Sequence, residues 1–126
     1  QAGPMAALYI HNLIEMEQFG ELGTNTGLDP EVLDEYRRLY KSYEPADARY
    51  LSLHRGHGLF LRDDEKHLVT EDWIRKTTMT GPVPELREKL RELKRIGYDE
   101  VSFLLNTHQP SDMDMLERWR EVMEGV

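Results

Sequence analysis

Apolar residues recur at helical spacing over most of the chain. Met5, Leu8, Ile10, Leu13, Ile14 and Phe19 leave little polar circumference between Pro4 and Gly20. That pattern predicts a helix over 4–19, buried on more than one side, with proline at its first position and glycine at its stop. Two glycines, an asparagine and two threonines make 21–28 a loop. Asp29-Pro30-Glu31 then supplies an N-cap, a first-turn proline and an acid at the positive helix end. Val32, Tyr36, Leu39, Tyr40 and Tyr43 follow three and four apart on one face, and Pro45 ends that helix. Thr70-Glu71-Asp72 opens a short helix through Trp73 and Ile74. Leu86, Leu90 and Leu93 stripe a helix over 84–96, with Gly97 as its left-handed terminator. After a capping-box-like start at Ser111, residues Met115, Leu116, Trp119, Val122 and Met123 make one face of a last helix.

Three segments read as extended. Residues 101–105 (Val-Ser-Phe-Leu-Leu) are apolar on both faces of the alternation, which predicts a strand covered on both sides, as in a parallel sheet. The run 77–80 reads as a brief strand or extended lead-in. Residues 51–61 read as two short extended pieces around a glycine turn, or as a buried irregular loop. The resulting expectation is an α/β fold, predominantly helical, with one clear strand and too few others to complete a sheet. The opening Gln1-Ala2-Gly3-Pro4, without an initiator methionine, reads as a cut through a longer protein.

Composition narrows the function classes. At 126 residues and 14.8 kDa the chain has the size of a single domain, 1–126. It has no cysteine, so disulfides, thiolate metal sites and a cysteine nucleophile are excluded. Sixteen basic and 24 acidic side chains give a net charge of −8, which disfavours nucleic acid as a partner. The longest nearly apolar stretch, 5–14, is well short of the ~20 residues of a membrane span, so the expected location is the cytoplasm.

A resemblance adds to this reading. Thr78-Met79-Thr80-Gly81, the helix segment Pro84-Glu85-Leu86-Arg87-Glu88-Lys89-Leu90, and Gly97-Tyr98-Asp99-Glu100-Val101 resemble the closing segment of the luciferase-like monooxygenase superfamily. Leu53-His54-Arg55-Gly56-His57, with His67-Leu68-Val69-Thr70 and Ile74-Arg75-Lys76-Thr77, is similar to its methylenetetrahydromethanopterin reductase-like branch. The resemblance covers most of this chain but only about the last third of a typical member. It implies the C-terminal part of a (β/α)8 barrel, with 101–105 as the last strand and 84–96 and 112–124 as flanking helices. It also implies a parent flavin- or deazaflavin-dependent oxidoreductase, using FMN or a deazaflavin, whose missing N-terminal barrel segment holds most catalytic residues. The chain alone would then be inactive and bind neither cofactor tightly. At Pro82-Val83 it departs from the common pattern, where relatives place a capping threonine.

Candidate site residues have competing readings. His54 and His57, three apart, would share one face of a helix and suggest zinc. Gly56 and Gly58 oppose a helix there, so no metal ligand is assigned and the histidines are read as bonding backbone carbonyls. The resemblance implies instead that Arg55 and His57 line or support the barrel mouth. Arg55 could grip a cofactor phosphate, or pair with one of the many carboxylates. Thr78, Thr80 and Gly81 could present hydroxyls and amides to an anion at the next helix, or could simply be turn residues. Glu15 and Glu17 read as solvated. The alternative function is a non-catalytic helical interaction module. Either reading leaves apolar faces over, including the tyrosine stripe, which predicts self-association as a homodimer.

Overall fold

Among the described residues six helices follow in order: α1 (Gly3–Gln18), α2 (Pro30–Ser42), α3 (Arg49–Leu53), α4 (Glu71–Thr77), α5 (Val83–Arg95) and α6 (Ser111–Met123). The structure is a computed structural model describing residues 2–18, 26–102 and 111–126, and it divides into two compact units, Gln1–Met79 and Thr80–Val126.

The first unit is built by α1 to α4. One broad face of α1 supplies Ala6, Ala7, Ile10, Leu13 and Ile14 to the core, and Met5, Tyr9 and Met16 stay exposed. The helix is thus buried along a wide stripe, and its outer side is open. α2 meets it through Leu33 and the fully buried Tyr36, with Val32, Leu39, Tyr40 and Tyr43 partly buried against the same cluster. The tyrosine stripe therefore packs on its own unit. Asp29 caps α2 as its pattern predicts, its Oδ1 accepting from the Glu31 amide at 2.8 Å. Thr70 caps α4 through the Trp73 amide at 3.2 Å. Trp73 then ties α4 to α1, its indole Nε1 donating to the Ala6 carbonyl at 3.0 Å while its ring packs 5.6 Å from Tyr9.

The second unit is α5 against α6. Leu86, Leu90 and Val122 are buried there, with Val83, Leu93, Trp119 and Val126 around them. Arg87 donates to the Glu121 carbonyl at 2.7 Å and Arg91 to the Gly125 carbonyl at 2.5 Å, so cationic heads close the C-terminal end of α6. Pro82 stands at the N-cap of α5 and gives it no side-chain cap. At the other end Gly97, at φ +105°, lets the Tyr98 amide reach the Leu93 carbonyl and its own amide reach that of Lys94.

The α/β expectation, and with it the barrel segment, is overturned: among the described residues there is no strand and no sheet. Val101 and Ser102 are exposed and unpaired in any ladder, and the remainder of the proposed strand, 103–105, lies outside the described residues. A doubly covered strand needs extended neighbours, and each candidate neighbour is otherwise engaged. Residues Arg49–Leu53 coil into α3. Thr77 and Thr78 turn their hydroxyls back onto the carbonyls of Trp73 and Ile74 at 2.8 and 2.7 Å, finishing α4 instead of starting a strand. The side chain of Ser111, read as a capping box, also lies outside the described residues.

Candidate functional site

The chemistry of the first unit gathers around a buried carboxylate. Glu65 is 1% exposed, in the turn after α3, and its partners come from three directions. His11 of α1 meets Glu65 Oε2 through Nε2 at 2.6 Å. Tyr36 of α2 donates its hydroxyl to the same oxygen at 3.2 Å, and Arg62 Nη2 lies 2.9 Å from it. The Arg62 amide donates to Oε1 at 3.0 Å. Burial alone would raise the Glu65 pKa, but the bonds from His11 and Arg62 outweigh it and hold the carboxyl below its ordinary value. The carboxylate form of Glu65 is thereby favoured. Tyr36 is pushed well above a normal phenol, first by burial and then by the Glu65 charge.

Arg62, 5% exposed, extends the network. Its guanidinium donates to Asp64 Oδ1 at 3.1 Å, to the Tyr43 hydroxyl at 2.7 Å and to the Leu53 carbonyl at the end of α3. Tyr43 in turn donates to Asp64 Oδ2 at 3.0 Å, and burial raises its pKa against the lowering pull of Arg62. The arrangement binds α1, α2, α3 and the turn 62–65 to one charged centre.

Three imidazoles then lead outward. His11 packs edge-on to His54 with ring centroids 5.4 Å apart, and His54 lies 5.4 Å from His57. His54 Nδ1 and His57 Nδ1 are 3.3 Å apart. His54 Nε2 stands 3.1 Å from Glu15 Oε2, at ion-pair distance but off the line of a hydrogen bond. Two buried nitrogens in this row, His11 Nδ1 and His54 Nε2, have no hydrogen-bond partner among the described residues. Glu15 is accordingly a neighbour of this row, and Glu17 is held by Arg37 Nε at 2.8 Å.

Of the residues singled out from sequence, Arg55 and His57 share one turn, 54–59, closed by the His57 amide on the His54 carbonyl and the Leu59 amide on that of Gly56. Both side chains are exposed, and no carboxylate among the described residues pairs with Arg55. Thr78 closes α4, whereas Thr80 and Gly81 belong to the second unit ahead of α5. The Glu65–Arg62 centre carries no periodic signature. His11 lies 54 positions from Glu65, and the i,i+3 relation of Arg62 and Glu65 is the one local sign of it. In the second unit a 440 Å³ depression along α6 is lined by Asp114, Glu117, Arg118, Arg120, Glu121 and Glu124, all charged residues. No three His, Asp or Glu side chains among the described residues form a metal-holding group. No described helix is long and apolar enough to cross a membrane.

Comparison of the chain with protein-family models, with curated proteins and with solved structures returns no match.

Proposed function

We propose that the chain is a helical segment of a cytoplasmic flavin- or deazaflavin-dependent oxidoreductase of the luciferase-like kind, to which it contributes cofactor positioning instead of catalysis. The observation carrying the reading is the turn 54–59. It presents Arg55, a cation that meets no carboxylate among the described residues, and His57 in the same turn as the half-exposed apolar side chains of Leu59 and Phe60. A cation next to apolar surface suits a ligand with an anionic tail and a flat ring. The cofactor, when bound, would supply hydride transfer or oxygen activation. Arg55 would hold its charge, and the buried Arg62 bond to the Leu53 carbonyl would keep the turn in place. The test is the visible spectrum of the gene product isolated at its natural length. A flavin or deazaflavin band is expected, weakened when Arg55 is replaced by Ala. The isolated 126 residues are expected to show no stoichiometric binding of FMN or a deazaflavin in equilibrium dialysis. A colourless natural-length product that takes up neither cofactor would overturn the reading.

A second reading, a non-catalytic helical module that self-associates as a homodimer, draws on Tyr50, Leu51, Leu59 and Phe60, all at least half exposed. Sedimentation equilibrium separates it from a 14.8 kDa monomer.

A further inference from the structure

We infer that His54 and His57 form an open two-histidine site for a divalent transition-metal ion of the zinc class, completed by water. The inference is independent of the oxidoreductase reading. Its first support is the 3.3 Å between the two Nδ1 atoms. A tetrahedral ion with metal–nitrogen bonds of about 2.0–2.1 Å sets neighbouring ligand nitrogens roughly 3.3–3.4 Å from each other. The pair therefore already has the bite of a chelate. A single proton spans the gap when one nitrogen donates and the other accepts. A modest rotation of the rings redirects both lone pairs to a shared centre beside that line.

The second support lies on the far side of His54. Metal-binding imidazoles characteristically give their other ring nitrogen to a carboxylate, which fixes the tautomer and raises ligand basicity. His54 Nε2 is buried, has no hydrogen-bond partner among the described residues, and is 3.1 Å from Glu15 Oε2. Coordination through Nδ1 places the remaining proton on Nε2, where a small shift aims it at Glu15.

The backbone accounts for how two histidines three apart meet outside a helix. Gly56 between them adopts φ +98°, and the His57 amide closes on the His54 carbonyl at 3.0 Å. The glycines that argue against helical His-x-x-His geometry are what fold the turn. His57 is exposed, so the remaining coordination positions face solvent. The chain's net charge of −8 favours cations, although Arg55 in the same turn opposes them. With two protein nitrogens and water, binding will be weaker than in a closed structural site.

The intact chain is titrated with zinc alone, in competition with a chromophoric chelator. One equivalent per chain is expected. His57→Ala, an exposed change whose folding is checked by circular dichroism, abolishes that step. Glu15→Gln weakens it about tenfold, the loss typical of a carboxylate behind a ligating histidine. His67→Ala, which removes an exposed histidine paired with Glu35, leaves it unchanged. The proposal fails if no one-equivalent step exists, if the step survives in His57→Ala, or if it is His67→Ala that removes it.

Discussion

Glu65 and Arg62 form a buried pair, and removing the Glu65 charge leaves the Arg62 guanidinium with Asp64 as its remaining carboxylate. Glu65→Gln turns a neutral amide toward the guanidinium, which is 5% exposed. Breaking a buried pair costs about 3–5 kcal/mol when the other charge is left alone, and the Asp64 contact puts the expected loss at the lower end of that range. Tyr36→Phe keeps the packing of the ring and gives up one donor at 3.2 Å, so about 1 kcal/mol is expected. Urea denaturation of the two variants should rank them in that order with similar slopes. The same carboxylate sets an acid limit. Its folded pKa is lowered from 4.5, so its contribution is complete above that value and is lost as pH falls through the lowered folded value. Denaturation midpoints measured down a pH series should therefore decline below about pH 4.5, and less steeply in Glu65→Gln. An acid limb of equal steepness in the variant would show that other carboxylates set it.

Among the elements, those with end signals were legible and those defined by distant partners were not. Asp29-Pro30-Glu31 and Thr70 mark the starts of α2 and α4 because a cap is a local bond between residues two or three apart. The Leu86 and Leu90 stripe likewise announces α5 and its buried face. The strand expected at 101–105 is not met at Val101 and Ser102, because an apolar stretch records a demand for cover and does not say whether a sheet exists to provide it. The Glu65 centre stayed hidden for the same reason. Only the folded chain brings His11 and Tyr36 to Glu65. Arg55 and His57 share the turn 54–59 by adjacency alone, and adjacency does not reveal that His54 points at both His57 and Glu15. Two glycines test how the turns hold. At Gly56 an added Cβ would stand 2.9 Å from the Phe60 carbonyl oxygen and 3.0 Å from its ring, on top of a φ of +98°. At Gly97, φ +105°, nothing lies within 4 Å. Gly97→Ala should cost only the left-handed strain, about 1–2 kcal/mol. Gly56→Ala adds overpacking against backbone and should cost about 1–3 kcal/mol more. Thermal melts of the two variants check the order, and equal losses would mean the 54–59 turn yields freely.

Among the described residues the stabilising contacts are distributed unevenly between the two units. The first unit buries a dozen described apolar residues, from α1 to α4 and from Leu28, Leu68 and Val69 between them, and Glu65 with its donors crosslinks α1, α2 and α3 from within. The second unit buries Leu86, Leu90 and Val122, with a partly buried rim and arginine-to-carbonyl bonds at the rim of α6. Hydrophobic stabilisation follows the apolar area removed from water, so the smaller cluster should open at lower free energy. Native-state hydrogen exchange of the intact chain reads this directly. Amides of Ile10 and Ile14 in α1 and of Tyr36 in α2 should exchange only through the largest opening, at the global stability of the first unit. Those of Leu90 in α5 and Val122 in α6 should exchange through a smaller opening, with a weaker dependence on added urea because less surface is exposed. Glu65→Gln should speed exchange in α1 and α2 and leave Leu90 and Val122 unchanged. If protection at Leu90 and Val122 falls in step with α1, the two units unfold as one cooperative body, and the small α5–α6 core draws its stability from the rest of the chain.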